Sequence, residues 1–305
     1  MSRVVLERLG HAVFVVFGVS LLSFLLVHLT GDPATLLLPL DATQEDRDRF
    51  RHAMGLDRPL AVQYVDFLGR AVQGDFGNSL RFQQPAMGLV VERLPATLAL
   101  AGVALGLALL IGVPAGLLAG VRRGSNFDRI SMMLALAGQC VPAFWLGLML
   151  ILVFSVGLRL LPVSGGGTPA HLVLPGLTLS FYTMALVARL LRSNMLDVMN
   201  ADYIRTARAK GLAERIVVLR HALKNASIPV VTVVGLSAGY LLGGAVIVEQ
   251  VFAYPGLGRL VYQSISNRDV AVVQAFVVLI SLVVLLINLT VDMLYTVLDP
   301  RVRYG

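Results

Sequence analysis

The 305-residue chain is 57% hydrophobic and only 14% charged, with a mean hydropathy of +0.79. Soluble domains carry roughly 25% charged residues, so this composition excludes an ordinary soluble enzyme and points to a chain dissolved in lipid. The net charge of +7 does not gather on one soluble segment, so no nucleic-acid partner is expected.

A membrane helix needs about 20 mostly apolar residues to cross roughly 30 Å of hydrocarbon. Six uncharged runs reach that length, from Leu9 to Gly31, Leu94 to Val121, Ile130 to Leu158, Leu160 to Ala188, Asn225 to Val248 and Val270 to Val291. The first is longer than the apolar core of a secretory signal, about 7 to 15 residues, and is read as a retained helix. The fourth opens with Pro162, Gly165, Gly166, Gly167 and Pro169, a loop by composition, so its helix should start near Ala170. The expected organisation is an all-α membrane protein with a first transmembrane helix in 1–31, an external segment in 32–93 and a five-helix core in 94–305.

The cations take sides. With six spans, both termini share a face with Arg122, Arg123, Arg129 and the eight basic residues between Arg189 and Lys224, fifteen cations in all, while the opposite short loops hold Arg159, Arg259 and Arg268. The positive-inside rule then places both termini in the cytoplasm. The segment 32–93 carries seven basic and nine acidic residues and falls outside. There Thr43 with Asp46 three positions on resembles a capping box, and Gly55 supplies a stop. A second short helix should run from Pro59 to just before Gly74. A small outer cap and a solvated spacer both fit this pattern.

The internal segment 189–224 combines its cations with apolar residues at helical spacing, Ile204 and Ala207, then Leu212, Ile216, Leu219 and Leu223. Those spacings make amphipathic helices. Asp202 is placed to cap a helix from Tyr203 to Lys210, Gly211 to end it in the left-handed conformation, and a second helix to follow to about Asn225. Such helices rest either on anionic lipid or in the groove of a cytoplasmic partner.

Within the spans, glycines recur every four residues at Gly102 and Gly106, at Gly112, Gly116 and Gly120, and at Gly235, Gly239 and Gly243. These are helix-packing faces or the lining of a mobile gate. Asp292, near the end of the last span, reads as a snorkelling or capping carboxylate.

Catalytic and cofactor chemistry finds little support. Gly235-Leu236-Ser237-Ala238-Gly239 matches the G-x-S-x-G of hydrolases, but that serine works on a strand-to-helix turn beside a histidine and an acid, whereas Ser237 falls mid-span. Cys140 is the one cysteine, and His11, His28, His52, His171 and His221 are scattered, so no metal site is expected. A phosphate-binding loop needs Gly-Lys followed by Ser or Thr. Neither lysine, Lys210 or Lys224, follows a glycine, so any ATP and Mg used would sit on other subunits. An autonomous channel or a secondary transporter is the alternative, though the latter commonly shows internal repeats and ionisable residues near the midplane.

The segment Asp202-Tyr203-Ile204-Arg205-Thr206-Ala207-Arg208-Ala209-Lys210-Gly211-Leu212, followed by Arg220-His221-Ala222-Leu223-Lys224-Asn225-Ala226 and Pro229, resembles the coupling loop of ABC importer permeases. The likeness is to the first permease of the dipeptide, oligopeptide, glutathione and nickel importers and covers nearly the whole chain. It extends to Gly31-Asp32-Pro33, Gly55-Leu56-Asp57-Arg58-Pro59, Gly74-Asp75-Phe76-Gly77-Asn78-Ser79, Glu249-Gln250-Val251-Phe252 with Pro255-Gly256-Leu257-Gly258, and Asp299-Pro300-Arg301-Val302-Arg303-Tyr304. Where importers more widely have Glu-Ala-Ala before the loop glycine, this chain has Arg205-Thr206-Ala207, and Lys224 stands in place of a proline.

The resemblance implies a type I ABC importer fold with an outlying first helix, in a bacterial inner membrane. It implies a second, homologous permease, two cytoplasmic ATPases and an external solute-binding protein as partners. It assigns Tyr203, Arg205, Thr206, Ala207, Arg208, Lys210, Gly211 and Leu212 to ATPase coupling, and Glu249, Pro255, Gly256 and Gly258 to an external loop. The implied activity is uptake of peptides or similar small solutes by alternating access, with glutathione or a nickel chelate as the alternative cargo.

Overall fold

The computed structural model describes residues 14–25, 43–55 and 57–298. Gly31-Asp32-Pro33, Leu56, the Asp292 side chain and the ending from Asp299 lie outside the described set. Contacts divide the chain into two units, Met1–Pro95 with Arg259–Leu286, and Ala96–Gly258 with Ile287–Gly305.

In the first unit, α1 (Phe14–Leu25) is followed by α2 (Gln44–Met54) and α3 (Leu60–Val72). The capping box forms as the sequence requires. Asp46 N–H donates to Thr43 Oγ1 and Thr43 N–H to the Asp46 carboxylate, both at 3.2 Å, and Gly55 closes α2 at φ +66°. Pro59 stands one residue outside α3 as its extended cap. Tyr64 and Phe67, three apart on one face of α3, are buried. The Tyr64 hydroxyl lies 2.8 Å from Ser20 Oγ on α1, its ring packs edge-on to Phe17, and Phe67 meets Phe24 and Phe76. Along α3 the segment is therefore packed against α1 and Phe76, while most of the α2 residues are exposed. In the same unit, Ser79 Oγ donates to the buried Asp269 carboxylate and roots the turn between Asn78 and Pro85.

The second unit takes most of α4 (Ala86–Val121), a 36-residue helix about 54 Å long at 1.5 Å per residue. The third uncharged run is not one straight span. It divides into α5 (Asn126–Cys140) and α6 (Ala143–Leu150, continued as a π-helix over Ile151–Gly157), bent by 112°. Pro142 brings no N–H and forces Val141 out of the helical region, to φ −76° and ψ 124°, as a residue before proline generally is. Next, α7 (Ala170–Met199) begins where the proline and glycine loop predicts. After it come α8 (Asp202–Ala209), then α9 (Glu214–Ile216, a π-helical Val217–Ala222, Leu223–Ala226) and α10 (Ile228–Val251), followed by α11 (Leu257–Ser266) and α12 (Val270–Leu298), of which Arg259–Leu286 belongs to the first unit. Among the described residues, α4, α7, α10 and Val270–Val291 of α12 are long and apolar enough to cross a bilayer, and the bent pair is either one broken span or a re-entrant loop, so four or five of the six expected spans are found. α1 is a shorter apolar helix inside the first expected run.

The glycine ladders divide by role. Gly112, Gly116 and Gly120 bring α4 against α7, where a Cβ on Gly116 would stand 2.5 Å from the Ala188 carbonyl. Gly235 meets Val291 in the same way, whereas Gly102, Gly106 and Gly243 have nothing within 4 Å of the position a Cβ would take.

Candidate functional site

The basic loop is held to the body by an apolar seam. Ile204 and Ala207 of α8 are buried with Leu191 and Met195 of α7, Val217, Val218, Ala222 and Ala226 of α9, and Val230 of α10. Residues 204 and 207, one helical turn apart, share that inner face, so the helix presents Tyr203, Arg205, Thr206 and Arg208 outward. Lys210, Gly211 and Leu212 are exposed in the turn that follows. Of the residues expected at the coupling surface, Ala207 alone points inward. Two hydrogen bonds tie the seam further: Asn225 Nδ2 donates to the Tyr203 hydroxyl at 3.0 Å, and Asn194 Nδ2 to the Ala226 carbonyl at 3.1 Å.

Two local expectations need correction. Asp202 is the first helical residue rather than the cap. Ala201 occupies the cap position without a side-chain bond, and the Asp202 carboxylate turns instead to Arg205 at 3.3 Å. Of the stripe Leu212, Ile216, Leu219 and Leu223, only Leu223 packs against the buried cluster. Leu212, Ile216 and Leu219 are 37%, 43% and 46% exposed, and Val217, Val218, Ala222 and Ala226 take the interior. A π-helical stretch widens the turn to an i→i+5 pattern, which rotates the side chains away from the register that a 3.6-residue period assumes.

Gly211 behaves as its composition demands. It sits at φ +76°, its N–H donates to the Arg208 carbonyl at 2.9 Å, and Leu212 N–H reaches the Ala207 carbonyl at 3.4 Å. That pair of bonds is the Schellman closure of a helix. Across the turn, Arg208 grips Glu214 with Nε and Nη2 at 3.1 and 2.7 Å. The hydrogen bond from Arg208 holds the Glu214 carboxyl below the usual glutamate range and raises the guanidinium in return.

A second cluster gathers the residues expected at an external loop. Glu249 is fully buried near the end of α10 and accepts from the Thr97 hydroxyl of α4 at 2.6 Å, while that hydroxyl accepts from Leu257 N–H at 2.8 Å. A Cβ on Gly256 would collide with the Glu249 carboxylate, and one on Gly258 with the Val246 backbone. Pro255 packs where Gly166 leaves room. Gly256 and Gly258 are thus folded down onto α10 and buried. Thr97 carries no signal in the sequence, since its partners are 152 and 160 positions away.

Another pairing was equally illegible. Arg192 of α7 forks onto Asp128 of α5, Nε to Oδ1 at 2.5 Å and Nη2 to Oδ2 at 2.9 Å, and Gly124 N–H adds a third bond at 2.9 Å. Ser237, the serine of the hydrolase-like pattern, lies inside α10 and donates to the Val233 carbonyl at 2.7 Å. It has neither the strand-to-helix turn nor the free hydroxyl of a nucleophile. Gly239 lies half-buried on the same helix.

The family model "Binding-protein-dependent transport system inner membrane component" matches residues 112–304, and the corresponding N-terminal model matches residues 1–101. The glutathione transport system permease protein GsiC of Escherichia coli (strain K12) is 45% identical over 305 residues, all of both chains. Its counterpart in Shigella flexneri serotype 5b (strain 8401) is 45% identical with the same coverage. Among solved structures, an inward-facing form of the MetNI methionine ABC transporter shares the fold, with a TM-score of 0.60 at 23% identity, covering 70% of this chain and 97% of that chain. The spans, the basic loop and these matches agree: the chain belongs to the binding-protein-dependent inner membrane components, the permease subunits of ABC importers.

Proposed function

We propose that this permease carries glutathione or a similar short peptide inward by alternating access, and that α8 with the turn to Leu212 is its coupling element. The observation that carries the reading is the two-faced α8. Ile204 and Ala207 fix it to α7 and α9, while Tyr203, Arg205, Arg208 and, in the turn, Lys210 and Leu212 are left outside with apolar and cationic groups side by side. Such a surface suits an acidic, partly apolar groove on an ATPase. Two ATPases, a second homologous permease and an external solute-binding protein complete the assembly. ATP and Mg belong to the ATPases, since this chain has no Gly-Lys phosphate loop. Both termini and the basic loop then face the cytoplasm, and the segment from Asp32 to Arg93 faces out. The glutathione reading rests on the name of the 45% identical relatives.

Replacing Arg205 and Lys210 with Glu tests the surface while leaving the Arg208–Glu214 pair intact. In detergent, where no lipid surface competes, the variant should co-purify at least about 10-fold less ATPase than the parent. Equal co-purification would return the surface to lipid contact.

A further inference from the structure

Asp128 is a buried carboxylate on α5 with three donors on its two oxygens, two of them from one guanidinium on α7. The Asp128 side chain is 4% exposed and that of Arg192 27%. A bidentate fork fixes direction as well as distance, and a buried ion pair resists the loss of either partner because an uncompensated charge is left behind. Arg192 sits beside Leu191 and three residues before Met195, both in the seam that buries Ile204 and Ala207 of α8. Gly120, at the end of α4, approaches the same stretch so closely that a Cβ there would stand 2.6 Å from Met195 and 3.3 Å from the Arg192 carbonyl. Gly124, whose N–H completes the carboxylate's bonds, belongs to the turn joining α4 to α5. The end of α4, the turn, the first turn of α5 and the last third of α7 are therefore one block, with α8 seated on it.

We propose that the Asp128–Arg192 pair is a strut that carries movement of α8 through α7 into α5. The apolar seam fixes α8 to the last third of α7, and close-packed interiors transmit strain, so a displaced α8 takes that stretch of α7 with it. The fork transmits a push or a twist to the helix that ends, twelve residues on, at Cys140 and the Pro142 break. Asp128 and Arg192 are positioning residues for coupling, acting through α5. The proposal rests on the reading of α8 as the coupling element.

The test uses the full chain assembled with its ATPases, with Cys140 as a built-in reporter because it is a free thiol at the far end of α5, read with a membrane-permeant maleimide. The rate of maleimide labelling at Cys140 is compared between the nucleotide-free complex and the complex trapped with MgATP and vanadate. The parent should change by at least about 3-fold. Arg192→Gln alone strands the buried Asp128 charge and Asp128→Asn leaves the half-buried Arg192 guanidinium without its partner, so the decisive variant is the double Asp128→Asn with Arg192→Gln, which removes both charges. It should keep its membrane abundance and bound ATPase, hydrolyse ATP, and lose the labelling change. A double variant that keeps the full change overturns the strut, as does a parent indifferent to nucleotide while its ATPases cycle. Disappearance of the double variant from the membrane also overturns it, assigning the pair to folding. Failure of the coupling reading itself has a separate signature, unchanged ATPase co-purification in the Arg205→Glu, Lys210→Glu variant.

Discussion

Thr97 and Glu249, 152 positions apart, share a 2.6 Å hydrogen bond in the interior, and the same hydroxyl receives Leu257 N–H. One side chain thereby pins the Pro255–Gly258 turn to both α4 and α10. Thr97→Val keeps the shape and removes the hydroxyl, and with it one hydrogen bond to the Glu249 carboxylate and one from the Leu257 amide. Each such loss costs roughly 1 to 3 kcal/mol, so thermal unfolding of the purified protein in detergent should occur several degrees lower, with Thr97→Ser close to the parent. Equal unfolding temperatures for Val and Thr would show that the turn is held by other contacts.

Gly211 separates backbone freedom from space. Its φ is +76°, and nothing lies within 4 Å of the position a Cβ would take, so a substitution meets conformational strain and no collision. A left-handed residue with a Cβ costs roughly 1 to 2 kcal/mol, more when β-branched. Transport should fall in the order Gly, Ala, Val, with membrane abundance nearly level. A Val variant as active as the parent would remove the need for a left-handed turn.

What was legible in the sequence follows from how local each cause is. The Thr43–Asp46 capping box, the start of α7 at Ala170 and the left-handed Gly211 each depend on a few neighbouring residues, and each appears as expected. The break at Pro142 was equally local, with Val141 before it in the usual pre-proline position, yet counting uncharged residues does not register a proline. The register of α9 escaped because a helical period of 3.6 does not describe a π-helical stretch, and the chain offers two apolar stripes of which one is buried. The Asp128–Arg192 and Thr97–Glu249 pairs escaped for another reason: they join positions 64 and 152 apart, and no spacing rule reaches that far.

The Arg208–Glu214 pair makes the turn after α8 sensitive to acid. Its hydrogen bond lowers the folded carboxyl below the ordinary value, so the stabilisation is present above the ordinary glutamate range and disappears as pH falls through the lowered value. Both side chains are about half exposed, which keeps the contribution under about 1 kcal/mol. Amide hydrogen exchange from Lys210 to Ala213, corrected for the intrinsic effect of pH, should lose up to about 5-fold in protection on acidification. Arg208→Gln should start at the lower protection and show no further fall. A parent with pH-independent protection would mean that the pair does not order the turn.

Val72, at the end of α3, is 88% exposed and belongs to the segment proposed to face outward. With Cys140→Ala as background, Val72→Cys should react with a membrane-impermeant thiol reagent in intact cells whose outer membrane has been permeabilised. Reaction only after lysis would invert the topology.

If the outward face of α8 seats an ATPase, Tyr203 reports the contact most directly, because it is 43% exposed on that face. A photo-crosslinking amino acid at Tyr203, activated in the assembled transporter, should yield one adduct containing this chain and an ATPase subunit, while the same probe at the buried Ile204 should give none. Crosslinks from Tyr203 to lipid alone, with the ATPases bound and active, would contradict the account.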